Sequence, residues 1–143
     1  MIDNENYRAE RQKRNRELVF RGKTVCDGDW VYGGITWNPS RKKFFIHTDW
    51  EEAKVIPETV GQYTGLTDKN GRRIFEGDIV RFIDIDFDGS ERKAVGVIAW
   101  NRKAANFDIV KGTYRLDFHY PVFEEIEVIG NIYDNPELME NSK

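Results

Sequence analysis

Apolar residues in this chain fall into short runs set apart by glycine, asparagine, aspartate and proline, as in strands joined by tight turns. The first fifteen residues carry few apolar side chains, among them Ile2, Tyr7 and Ala9. They are read as a flexible charged arm or a frayed helix, with order beginning near Glu17. Leu18-Val19-Phe20 is a first β-type run, closed by Gly22, and Asp27-Gly28 marks a turn. Trp30-Val31-Tyr32 and Ile35-Thr36-Trp37 read as one strand interrupted by Gly33-Gly34, where paired glycines imply a bulge or a close backbone approach. After the turn Asn38-Pro39-Ser40, Phe44 to His47 completes a hairpin.

Thr48-Asp49-Trp50-Glu51 fits a capping box and predicts a short helix, ended by the β-like run Lys54-Val55-Ile56 and Pro57. Val60 to Tyr63 is extended, and Thr67 to Gly71 is a turn in which Asn70-Gly71 accepts positive φ. Asp78 to Phe87 and Arg92 to Trp100 are predicted strands joined around Asp88-Gly89. A connection over 101–105 leads to a strand at Phe107 to Val110, and Phe123 to Ile129 reads as the last long strand. Asn135-Pro136-Glu137-Leu138 opens a final helical turn, with a cap, a proline at the first position and an acid near the positive end of the helix dipole. The fold class is therefore mainly β, α+β at most, arranged as a small sandwich or barrel.

Length narrows this further, since 143 residues suit one domain or two closely packed subdomains. Nine Phe, six Tyr and four Trp supply enough burial for a true core under a surface rich in charge. The net charge of −3 gives the whole molecule no strong pull toward nucleic acid or anionic lipid. Its distribution is uneven: seven basic residues lie between Arg8 and Lys23, and six acidic ones between Pro121 and Lys143. Cys26 is the only cysteine, so no internal disulfide forms, which fits a reducing compartment. Without a signal-type apolar segment or a stretch of about 18 apolar residues, the expected location is the cytoplasm, with no membrane partner.

Two segments carry a resemblance. Pro57-Glu58-Thr59-Val60-Gly61-Gln62-Tyr63-Thr64-Gly65-Leu66 runs on through Asp68-Lys69-Asn70-Gly71 to Ile74-Phe75-Glu76-Gly77-Asp78-Ile79-Val80. The second is Glu127-Val128-Ile129-Gly130-Asn131-Ile132-Tyr133-Asp134-Asn135-Pro136-Glu137-Leu138. Together with Arg16 to Lys23 and Trp30 to Gly33, they resemble the YopX family of phages, prophages and mobile elements. The resemblance implies a β-rich N-terminal subdomain, 16–66, and a C-terminal small β-barrel of the Src-homology-3 type, 67–143. The arm 1–15 departs from the family's usual start, and the resemblance carries over no catalytic or binding residue. Physically the signature reads as architecture. Gly61, Gly65, Gly71 and Gly77 are spaced as turn and bulge residues, and Tyr63 and Leu66 as core contacts. Asp78 is placed to cap backbone N–H groups at a bend.

Candidate chemistry is sparse. Asp84, Asp86 and Asp88 before Gly89 match the first half of a calcium loop, but the twelfth position is Val95 where a bidentate glutamate is required. The simpler reading is a hairpin with Asp84 and Asp86 outward and Ile83, Ile85 and Phe87 inward. Cys26, His47 and His119 show no nucleophile–base signature and are too few and too scattered for zinc. Glu124, Glu125 and Glu127 fit the exposed side of a strand, and Gly28 to Gly34 lacks the lysine and helix of a phosphate loop. No cofactor and no enzymatic activity are expected.

The most serious alternative is nucleic-acid binding. Arg41-Lys42-Lys43 lies between Trp37 and Phe44, Arg102-Lys103 follows Trp100, and the N-terminal arm is basic. The pI near 5.5 and the acidic C-terminus argue against it. The resemblance, with the sparse candidate chemistry, implies first a phage or prophage accessory or regulatory protein that binds a host or phage protein. Nucleic-acid binding is the alternative, and an assembly role through homo-oligomers, favoured by exposed strand edges, the second.

Overall fold

The computed structural model describes residues 5, 6, 8, 17–117 and 125–140. Among these residues, eleven strands are arranged in two antiparallel sheets. The first holds β1 (Phe20–Lys23), β2 (Trp30–Asn38), β3 (Lys43–His47), β4 (Glu52–Val55), β5 (Gly61–Thr67) and β6 (Arg73–Phe75), in the order β4-β3-β2-β1-β5-β6. The second holds β7 (Asp78–Ile85), β8 (Glu91–Asn101), β9 (Asn106–Lys111), β10 (Tyr114–Asp117) and β11 (Glu127–Asn131), in the order β10-β9-β8-β7-β11. A 3-10 turn spans Pro57–Thr59, and a helical turn, α1, spans Glu137–Glu140. The chain is mainly β, as the alternating pattern implies. The described C-terminal strands form an open five-stranded sheet, not the closed barrel expected from the resemblance. No helix among the described residues is long and apolar enough to cross a membrane.

The Gly33-Gly34 pair marks a change of partner within β2. Residues through Gly33 pair with β1, and residues from Gly34 onward pair with β3. At the crossing point the backbones nearly touch: a Cβ on Gly33 would lie 1.9 Å from the His47 carbonyl oxygen. The sheet then coils until β4 reaches back to β1 at the Thr24–Val55 bridge. Ile46 and Val55 are buried inside that coil, against Gly22.

A second core forms on one face of the other sheet from Ile74, Val80, Phe82, Ala94, Ile98, Ile109, Ile126 and Val128. Leu66 and Ile74 belong to β5 and β6, so the edge hairpin of the first sheet packs on the second. Asp68 fastens this hairpin. One of its oxygens accepts the N–H groups of Asn70 and Arg72, and the other accepts that of Val128 on β11. Burial pushes its carboxyl pKa up, but these three hydrogen bonds outweigh burial and hold it below the ordinary value.

Three local readings are corrected. Thr48 to Glu51 forms no helix, because His47 and Glu52 already pair across β3 and β4. The Thr48 hydroxyl instead accepts the N–H groups of Trp50 and Glu51 in a hairpin turn. Phe87 lies outside β7 and is fully exposed in the turn. Asp84 is not outward: the two-residue period puts it in phase with buried Val80 and Phe82, at the sheet's end. Of the N-terminal arm only Glu5, Asn6 and Arg8 are described, and they are helical. The rest of it lies outside the described residues, as do His119, Phe123 and Glu124.

Candidate functional site

The two sheets meet at a polar joint centred on Arg21 of β1 and Asp78 of β7. Gly77, at φ +90°, turns the chain from one sheet into the other and delivers Asp78 at the start of β7. Asp78 accepts the Phe75 N–H at 2.7 Å through Oδ2 and pairs with Arg21 Nη1 at 2.8 Å through Oδ1. Arg21 Nη2 donates to the Glu76 carbonyl at 3.3 Å. The guanidinium also contacts two aromatic rings, Trp30 at 4.7 Å and Phe75 at 4.9 Å. Both partners of the pair are buried. Burial pushes the Asp78 carboxyl up, and Arg21 holds it down in part. Burial likewise raises Glu76, opposed by the Gln62 backbone and by Arg21. A buried pair with this many fixed partners acts as a clamp between sheets.

The C-terminal segment closes the joint. Trp30 Nε1 donates to Asp134 at 2.7 Å, and Lys23 pairs with the other oxygen of Asp134. The Tyr133 hydroxyl donates to the Glu58 carbonyl at 2.8 Å, and its ring tilts onto Trp30 at 5.8 Å. Asp134 is held down to about 2, first by Lys23 and then by the Trp30 and Asn131 donors. Its folded-state pKa is depressed, so its contribution is complete above the ordinary value of 3.8 and fades as pH falls toward 2. Its side chain is 37% exposed, so solvent screening limits that contribution to about 1 kcal/mol or less. Trp30 fluorescence is expected to titrate between about pH 4 and pH 2, and Asp134→Asn to abolish that transition. An unchanged acid transition in the variant would remove Asp134 from the joint.

Beside the clamp lies a cavity of about 270 Å3, lined by Arg21, Tyr32, Arg72, Arg73, Phe75 and Asp78. The signature residues gather around this region. Gly61 of β5 sits so close to the residue that follows β6 that a Cβ would be 2.6 Å from the Glu76 carbonyl oxygen. Tyr63 is buried against Phe75, and Gly65, at φ +91°, lies where the β5–β6 register shifts. Sequence reasoning reached Asp78 through its bend but missed Arg21. Nothing local separates Arg21 from the other basic residues between Arg8 and Lys23.

The predicted basic residues occupy two hairpin ends, one on each sheet. Arg41, Lys42 and Lys43 close β2–β3, and Arg102 and Lys103 close β8–β9. The two ends match in construction. Trp37 pairs with Phe44 and Trp100 with Phe107, with ring centroids 4.8 and 5.0 Å apart. The residue after each tryptophan is an asparagine whose side-chain oxygen accepts loop N–H groups, Arg41 at one end and Lys103 and Ala104 at the other. The fifth residue after each tryptophan has positive φ, Lys42 at 52° and Ala105 at 56°. Trp37 and Trp100 remain 46% and 45% exposed.

The remaining candidates stay dispersed. Asp84 pairs with Arg92 and Lys111, Asp86 with Arg92, and Asp88 accepts the Ser90 N–H and hydroxyl. The described residues contain no group of three or more side chains placed to hold a metal. Cys26 is exposed in the turn after β1, while His47 shares a hydrogen bond with Thr36 on β2. Glu125 is exposed, and Glu127 pairs with Arg81 and Lys69.

No match was found among curated proteins. Among solved structures, the chain is similar to protein EF1440 from Enterococcus faecalis, with 22% identity and a TM-score of 0.54. That likeness covers 86% of this chain and 98% of the other, and shows a shared fold. The family described as YopX protein matches residues 6–140, nearly the whole length and all of the signature segments, and the chain therefore belongs to the YopX family.

Proposed function

We propose that this protein acts by binding, without catalysis, and that its ligand is single-stranded nucleic acid held by the two matched hairpin ends. The observation that carries this reading is the repeated construction itself: a half-exposed tryptophan, a cross-strand phenylalanine and a basic loop, once on each sheet. A ligand that repeats a planar face and a negative charge along its length suits two such ends. Bases stack on the indoles and phosphates meet the cations. Neighbouring Lys43 also holds the Lys54 ammonium below its ordinary pKa. The net charge of −3 does not oppose this, because charges more than about 8 Å apart are largely screened at physiological salt. Such binding suits an accessory or regulatory role in a phage or prophage.

A labelled 20-nucleotide single strand, titrated at 50 and 200 mM salt, tests the proposal. Affinity is expected to fall steeply with salt. Trp37→Ala and Trp100→Ala are each expected to weaken binding by about 1–3 kcal/mol, the range for one stacked base. Arg102→Gln with Lys103→Gln is expected to flatten the salt slope. Absence of binding at 50 mM salt, or loss of neither tryptophan mattering, overturns it.

A protein partner is the second reading, favoured by the almost fully exposed Trp50 and Phe87 at other hairpin turns. A partner that survives nuclease and is lost with Trp50→Ser or Phe87→Ser supports that reading instead.

A further inference from the structure

The cavity beside the clamp is lined by three arginines. Arg21, Arg72 and Arg73 line it together with a single acid, Asp78. Both Asp78 oxygens are engaged, one by Arg21 and one by the Phe75 N–H. Arg73 reaches outward to the half-exposed Glu17. Among the described residues Arg72 forms no close ion pair; the Asp68 and Asp78 carboxylates act on it at longer range, and its backbone N–H is anchored on Asp68. Arg21 places two of its nitrogens on Asp78 and Glu76, while its buried Nε has no acceptor. Arg21 is thus paired with Asp78 and Arg73 with Glu17, and Arg72 is the lining cation without a close acidic partner among the described residues.

The other walls are aromatic. Tyr32 faces Arg21 across the β1–β2 ladder and meets Phe75 edge-on at 5.5 Å. About half of Tyr32 is exposed, so its ring forms part of the mouth. At about 270 Å3 the space falls just below the ~300–1,000 Å3 of drug-sized pockets and suits one small molecule. Guanidinium groups match the geometry of phosphate and carboxylate alike, and a phosphomonoester, with three acceptor oxygens and a charge of about −1.5 to −2 at neutral pH, can engage Arg72 and Arg73 together.

We propose that this cavity binds a small phosphomonoester joined to a planar ring, of nucleoside monophosphate type, with the phosphate on Arg72 and Arg73 and the ring against Tyr32. Arg21 sets the positive floor and remains committed to the clamp. The site is distinct from the hairpin ends. Its ligand is a free small molecule, and the proposal stands without the nucleic-acid reading.

The test is calorimetric titration of the full chain with adenosine 5′-monophosphate, with inorganic phosphate and with adenosine. Saturable binding is expected for the nucleotide, weaker binding for phosphate alone, and the weakest for adenosine. Arg72→Gln is expected to weaken nucleotide binding about tenfold or more, the effect of losing one charge-assisted contact, with an unchanged melting temperature. Tyr32→Ala is expected to weaken the nucleotide while leaving phosphate unchanged. Trp37→Ala is expected to leave nucleotide binding intact, which separates this site from the hairpin ends. Three results overturn the proposal: no saturable signal at millimolar nucleotide, adenosine binding as tightly as its monophosphate, or Arg72→Gln without effect in a folded protein.

Discussion

Replacing Arg21 with methionine is expected to destabilise the protein by about 3–5 kcal/mol at neutral pH, because it leaves the buried Asp78 carboxylate without its counter-charge. Methionine keeps much of the packing between Trp30 and Phe75, so the loss reports mainly on charge. The pH dependence supplies a second signature. Asp78 is already pushed upward by burial, and without Arg21 it rises further. An acid with a raised folded-state pKa costs stability once the unfolded chain ionises, above about pH 4. The deficit of Arg21→Met should therefore be small near pH 4 and grow toward pH 7. Asp78→Asn tests the other side. It can keep an acceptor for the Phe75 N–H but strands the guanidinium, and a similar loss is expected. The double variant is expected to recover about 1–3 kcal/mol relative to the sum of the singles, measured by urea unfolding. Additive losses would mean that the two residues do not act as a pair.

This pair also shows where sequence reading stops. Gly77-Asp78 announces a bend by its composition, and the bend is there. Its partner is set by which strands meet across the joint, and the pattern around Arg21 contains no trace of that. The same holds for the hairpin ends. Trp37, Trp100 and the adjacent basic residues stand out in the sequence, but their equivalence emerges from the register, from the asparagine-braced loops and from the positive φ at Lys42 and Ala105. Turns were legible because glycine, asparagine and aspartate have local backbone preferences. Thr48 misled because a hydroxyl accepting N–H groups two and three residues on serves a hairpin turn as well as a helix. The inward phase of Asp84 was lost because the acid follows Val80 and Phe82 onto the core side and is neutralised there by Arg92 and Lys111. Three-residue β6 lies below the length at which alternation is informative. The division into two sheets depends on pairings between residues distant in the chain.

Gly33→Ala is expected to cost about 3 kcal/mol or more, since overpacking of this kind lies at the severe end of single substitutions. The obstruction is backbone and not a movable side chain: a Cβ at this position would meet the His47 carbonyl oxygen at 1.9 Å and its carbon at 2.8 Å. Relief requires β2 and β3 to separate at the point where β2 changes partner, which breaks the Gly34–His47 pair and the Thr36–His47 hydrogen bond. Gly34→Ala is the internal control. A Cβ there meets nothing within 4 Å, so the substitution should lie within about 1 kcal/mol of the parent. Equal stability of the two variants would rule out the strand crossing. The consequence reaches the proposed ligand, because the β2–β3 ladder holds Trp37 against Phe44. Under conditions where Gly33→Ala remains folded, its single-strand affinity should fall toward that of Trp37→Ala. Adding Trp100→Ala should then remove most of what remains, as expected if the first hairpin end is lost through its support and the second is intact.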